Sequence, residues 1–181
     1  MKIVAKRLLI WGAVILCLLM IPALAMRYTT EVRWDLSDFI LMGTALSVLG
    51  ILYEWVGRSS GNKYYKMGFG LGLLGLFLLF WVNAAVGIIG NEGQEANLLY
   101  NVVFIVAALG SLFSRFSALG MTRTMGVAAL VQVLVPVAAY LLWPPPVISW
   151  SPGVSGVFLI SAFFAVLYLV SAYLFRRAVI N

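Results

Sequence analysis

Six long runs of apolar residues, separated by short polar segments, occupy most of the chain: 8–26, 36–56, 67–90, 97–113, 125–143 and 154–175. Most approach the ~20 residues that a helix rising about 1.5 Å per residue needs to cross a ~30 Å hydrocarbon layer. The pattern predicts an all-α protein, a polytopic transmembrane helical bundle of six spans forming one integral membrane domain over residues 1–181. The fourth run is the shortest. Five spans is the alternative, with the fourth helix less tilted than its neighbours, partly below the headgroups, or shielded by the others.

The polar punctuation fits this division. Pro144, Pro145 and Pro146 remove three backbone donors and fix φ, so no helix runs through them, and a short rigid connection is expected up to Trp150-Ser151-Pro152-Gly153. Trp143 and Trp150 are expected in one interfacial belt, and Tyr53, Trp55, Tyr64 and Tyr65 in the other. The basic start and Ala23-Leu24-Ala25 mimic a cleavable signal, but the first apolar run exceeds the roughly 7–15 residues of a signal core, so a retained helix is expected.

Composition agrees. Apolar side chains make up 64% of the 181 residues and charged ones 10%, against roughly 45–50% apolar in soluble domains. Mean hydropathy is +1.06. Burying this much apolar surface excludes a soluble enzyme, a disordered tail and a nucleic-acid-binding domain. The net charge of +6 therefore reports orientation. With a cytoplasmic N-terminus, Lys2, Lys6, Arg7, Arg58, Lys63, Lys66, Arg115, Arg123, Arg176 and Arg177 fall inside, against Arg27 and Arg33 outside. Glu31, Asp35, Asp38, Glu92 and Glu95 fall outside and Glu54 inside, so both termini are expected to be cytoplasmic. Glu54, unfavourable at a helix C-terminus, is expected to pair with Arg58 or Arg115.

The chain has no histidine and one cysteine, Cys17. That removes the customary ligands of zinc, haem and iron–sulfur clusters, so no metal and no cofactor is expected. Small residues four apart, at Gly68/Gly72, Gly43/Ser47 and Ala107/Ser111, let helix backbones approach. They serve either packing within the chain or a face for a protein partner or a second copy, and membrane lipid is the other expected partner.

Polar side chains inside an apolar run are costly unless paired, and mark where function is sought. Asn83, near the end of the third run, makes an interhelical hydrogen bond or lines a small outward cavity. Gln132 lies four residues before Pro136, where it either repairs the carbonyl that the proline frees or stands as a mid-membrane polar group. Asp38 is either a carboxylate at membrane depth or, with Asp35 and Ser37, a helix cap. The segment 81–100 ends one helix with glycine and asparagine, makes an acidic turn, and opens the next with Asn97 as expected N-cap. Asp38, Asn83, Glu92, Asn97, Tyr100 and Asn101 form a candidate polar outer cluster for a cation or a headgroup; no catalytic set is present.

Trp34 with Asp38-Phe39, Trp81-Val82-Asn83, Ala85-Val86-Gly87-Ile88-Ile89-Gly90 with Glu92, Ala96-Asn97-Leu98 with Tyr100, Arg115, Gly120-Met121 and Phe175-Arg176-Arg177 together resemble a widespread family of small bacterial integral membrane proteins with no established activity. The resemblance implies a bacterial inner-membrane location. The family pattern often has proline where this chain has Glu95, which lowers the interest of Glu95 as a shared site residue. A structural or accessory bundle that binds a partner or lipid is the leading expectation. A small transporter or channel subunit with a polar outer-half site is the alternative. A membrane enzyme lacks a histidine base and a nucleophile motif, and a carrier of a noncovalently held pigment, quinone or sterol has only the aromatic content in its favour.

Overall fold

The computed structural model describes residues 2–30, 32–58 and 60–180, apart from the side chains of residues 2–5 and 8. Glu31 and the side chains of Lys2 and Leu8 therefore lie outside the described residues. The elements are α1 (Lys2–Tyr28), α2 (Leu36–Leu52) continued by a π-helical turn (Tyr53–Gly57), α3 (Lys63–Ala85), a 3-10 turn (Glu95–Tyr100) leading into α4 (Asn101–Phe113), α5 (Ala118–Leu142) and α6 (Val154–Ile180). Among the described residues, six helical stretches are long and apolar enough to cross a membrane.

Several ends differ from the apolar runs. The third helix stops at Ala85 rather than Gly90, because the following backbone turns through Gly87 and Gly90 at positive φ. The fourth gains the 3-10 turn before it. The fifth begins at Ala118, capped by the Ser117 side chain on the Gly120 N–H, so its first turns carry Arg123 ahead of the apolar run.

The chain forms two compact units, Met1–Trp55 and Val56–Asn181. In the first, α1 and α2 make a hairpin. Gly50 admits the Trp11 indole, whose Cε3 lies 3.0 Å from where a Cβ would stand, and Gly43 faces Leu19. Asp35 caps α2 reciprocally: its Oδ1 accepts the Asp38 N–H at 3.1 Å while Asp38 Oδ2 accepts the Asp35 N–H at 3.0 Å.

In the second unit α6 packs against both α3 and α5, and α4 against α5. Glycines set the α3–α6 approach. A Cβ on Gly68 would stand 3.2 Å from the Ser171 carbonyl oxygen, and one on Gly75 would stand 2.9 Å from Cε1 of Tyr168. Ser171 donates to the Gly68 carbonyl at 2.8 Å. A Cβ on Gly72 would meet both Ser171 Oγ at 3.0 Å and Met125 Sδ at 3.2 Å, so α3, α5 and α6 converge there. At the α4–α5 turn the Tyr65 hydroxyl donates to the Phe116 carbonyl at 2.6 Å, within a cluster of Tyr65, Phe69, Phe116 and Phe175 rings. Tyr65 is thereby buried within the bundle.

Candidate functional site

The connections 86–94 and 143–153 meet at the opposite end of the second unit, and the amide side chains there are committed to the backbone. Asn97 is the hub. Its Oδ1 accepts the N–H groups of Ile88 at 3.0 Å and Ile89 at 2.9 Å, and its Nδ2 donates to the carbonyls of Ile89 at 3.0 Å and Asn91 at 2.7 Å. Both isoleucines are fully buried, so these amides have no water to turn to. Asn97 is therefore not an N-cap: Gln94 precedes the 3-10 turn, and Asn97 sits inside it facing backwards. Gln94 Nε2 donates to Ile89 O at 3.1 Å and Ser149 O at 2.8 Å, and the Gly90 N–H donates to Ser151 O at 3.0 Å, which joins the two connections. Trp150 is buried here as well; its indole donates to the Trp143 carbonyl at 2.9 Å and its ring packs edge-on to Tyr140. It thereby helps close the junction of the two connections.

The other members of the expected cluster have separate settings. The Tyr100 hydroxyl, fully buried, shares a 2.7 Å hydrogen bond with Ser161 Oγ of α6. Glu92 and Asn101 are exposed. Asn83 is half-buried, and its Oδ1 is buried without a hydrogen-bond partner, so it makes no interhelical bond through that atom. Asp38 belongs to the α1–α2 unit, where its carboxylate closes the capping box; Trp34 and Phe39 pack edge-on beside it at 5.1 Å. The Ser37 hydroxyl, 2.5 Å from Asp35 Oδ1, and the Asp38 N–H together hold the Asp35 carboxyl below the usual carboxylate range.

Deeper in the second unit, Gln132 is fully buried with neither Oε1 nor Nε2 hydrogen-bonded. It does not repair the break at Pro136; its side chain leaves the carbonyl of its own helix alone. The Tyr168 hydroxyl is likewise buried and unpartnered. Tyr168, Ser161, Thr124 and Ser171, all buried, were not singled out from the sequence. Ser161 and Tyr168 are seven residues apart on the face of α6 that also carries Phe164 and Phe175, and that spacing was the available signal.

Glu54 has a partner that sequence spacing did not offer. The ion pair shown is with Arg7 of α1, Nη1 to Oε2 at 3.6 Å, and the Trp11 indole donates to Oε1 at 3.3 Å. Sequence spacing singled out Arg58 and Arg115 because it has no view of α1 folding back on α2. Among the described residues no three histidine, cysteine, aspartate or glutamate side chains are grouped to hold a metal ion.

This is the fold of a multi-pass helical membrane protein. Compared with protein-family models, with curated proteins and with solved structures, the chain gives no match.

Proposed function

We propose that the chain is a structural or accessory protein of a bacterial cytoplasmic membrane, a helical bundle that binds another membrane protein or lipid and carries out no chemistry of its own. The observation that carries this reading is the use of the outer polar residues: Asn97, Gln94 and Trp150 hold backbone, Tyr100 holds Ser161, and Asp38 caps a helix. Groups spent on fixing a scaffold are not free to bind and release a solute. The test is gentle purification from the native membrane followed by mass spectrometry. A stoichiometric protein partner is expected; a bare chain that moves solute across liposomes refutes the reading.

Both termini face the cytoplasm in this proposal. Lys63, Lys66, Arg115, Arg123, Arg176 and Arg177 belong to one end of the second unit and Glu92 and Glu95 to the other, the distribution expected of a positive-inside protein. In a Cys17→Ser background, Glu92→Cys should react with an impermeant maleimide from outside and Lys63→Cys should not; the reverse pattern overturns the orientation.

A small transporter or channel subunit is the second reading, favoured by the buried, unpartnered Gln132 and Tyr168. It expects solute flux through the purified chain in liposomes that Gln132→Leu abolishes.

A further inference from the structure

The α1–α2 hairpin carries a groove of about 610 Å³ whose walls include Trp11, Gly12, Gly50 and Trp55 and whose charged end is Arg7 and Glu54. That volume falls within the roughly 300–1,000 Å³ of small-molecule sites. Its floor is open at Gly12, where a Cβ would meet nothing within 4 Å, while Gly50 lines it beneath the Trp11 ring. The polar atom on the wall is turned away, since Ser47 donates to the Gly43 carbonyl of its own helix at 2.6 Å. Along α1 the trough runs from Arg7 to Ile15, roughly 12 Å at helical rise. That is most of one leaflet of a ~30 Å hydrocarbon layer.

The charged end is specific in its chemistry. Glu54 lies on the π-helical turn Tyr53–Gly57, a local irregularity that re-aims side chains and recurs at functional sites. Trp11 Nε1 holds one carboxylate oxygen and Arg7 approaches the other. The arginine and glutamate side chains remain 40% and 26% exposed. That exposure leaves the guanidinium and the carboxylate within reach of a ligand bearing a paired anion and cation.

We infer that this groove is a binding site for a phospholipid with a zwitterionic, primary-ammonium headgroup, the chemistry of phosphatidylethanolamine: phosphate on Arg7, ammonium on Glu54, one acyl chain along Gly12 and Gly50. A choline headgroup has no N–H to donate to Glu54, and a glycerol headgroup brings no cation to the carboxylate. The inference stands apart from the accessory reading, since it uses the hairpin alone, and its failure leaves that reading untouched.

The test is native mass spectrometry of the full chain, stripped of lipid in detergent and offered phosphatidylethanolamine, phosphatidylcholine and phosphatidylglycerol with identical acyl chains. One tightly held phosphatidylethanolamine per chain is expected, favoured over the other two by about tenfold, the worth of a charge-assisted hydrogen bond. Glu54→Gln keeps an acceptor for Trp11 and should bring ethanolamine and choline lipids to parity. Gly12→Leu, which fills the trough without touching the charges, should lose the tight adduct of every class while circular dichroism shows unchanged helix content. Equal retention of the three lipids by the parent chain, preference for the anionic lipid, a chain dimer in place of the lipid adduct, or an ethanolamine preference that survives Glu54→Gln overturns the proposal.

Discussion

Replacing Asn97 by leucine should cost more than its single-residue scale suggests, because one side chain serves four backbone groups. Removing it orphans the N–H groups of Ile88 and Ile89, which are fully buried. At about 1–3 kcal/mol for each stranded donor the loss is about 2–6 kcal/mol. The carbonyls add little, since Ile89 O keeps Gln94 Nε2 at 3.1 Å. Against a typical stability of about 5–15 kcal/mol this is a large fraction. Asn97→Asp separates the roles. Its carboxylate still accepts both N–H groups but sets an oxygen against the carbonyls that Nδ2 reaches at 3.0 and 2.7 Å. The aspartate variant should therefore also lose stability, through the repulsion at the two carbonyls, while keeping both isoleucine N–H groups paired. Reversible unfolding in mixed micelles, followed by tryptophan fluorescence, measures both. A leucine variant within about 1 kcal/mol of the parent, roughly one ordinary hydrogen bond, would refute the hub assignment, as would an aspartate variant as stable as the parent.

Gly75→Ala should destabilise the second unit by about 1–3 kcal/mol through overpacking, since the new methyl meets Tyr168 Cε1 at 2.9 Å; the shift in unfolding midpoint measures it, and a neutral result shows that the Tyr168 ring yields. Gln132→Leu, of similar size, removes two buried unpartnered polar atoms and should leave stability unchanged or raise it by about 1–2 kcal/mol; a loss on that scale in the same assay shows that the amide has a partner in the membrane. Because the Asp35 carboxyl lies below its usual range in the folded chain, its contribution to the start of α2 is complete above the ordinary carboxylate pKa and fades as pH falls through the depressed value. Amide exchange at Ser37 and Asp38 should accelerate over that acid window, and Asp35→Ala should abolish the dependence.

The span count was legible because crossing a membrane is a demand on length and apolarity, and both are written along the chain. The helix ends were less so. Apolar runs stop where charge begins, but a backbone has no such constraint, and α5 continues outward past Arg123 to the Ser117 cap. The 3-10 turn before α4 depends on Asn97 reaching back nine residues to Ile88, a contact that neither composition nor a capping rule announces. The division into α1–α2 and α3–α6 units was invisible for a related reason. Small-residue spacings occur in both, and only the partner helix decides whether Gly68, Gly72 and Gly75 close on α6 or Gly12 stays open.

The polar residues separate the same way, by how far away their partners lie. The Asp35–Asp38 box is a spacing of three, and the alternatives drawn from sequence included it. For Glu54 the same local rule offered Arg58, and the hairpin adds an ion pair that the rule could not offer, with Arg7. Gln132 gives the sharpest case. Its position four residues before Pro136 made a local repair attractive, but a glutamine serving its own helix would have at least one polar atom bonded, and here both are free and fully buried. Tyr168, on the helix that packs directly against α5, carries a second buried, unpartnered group.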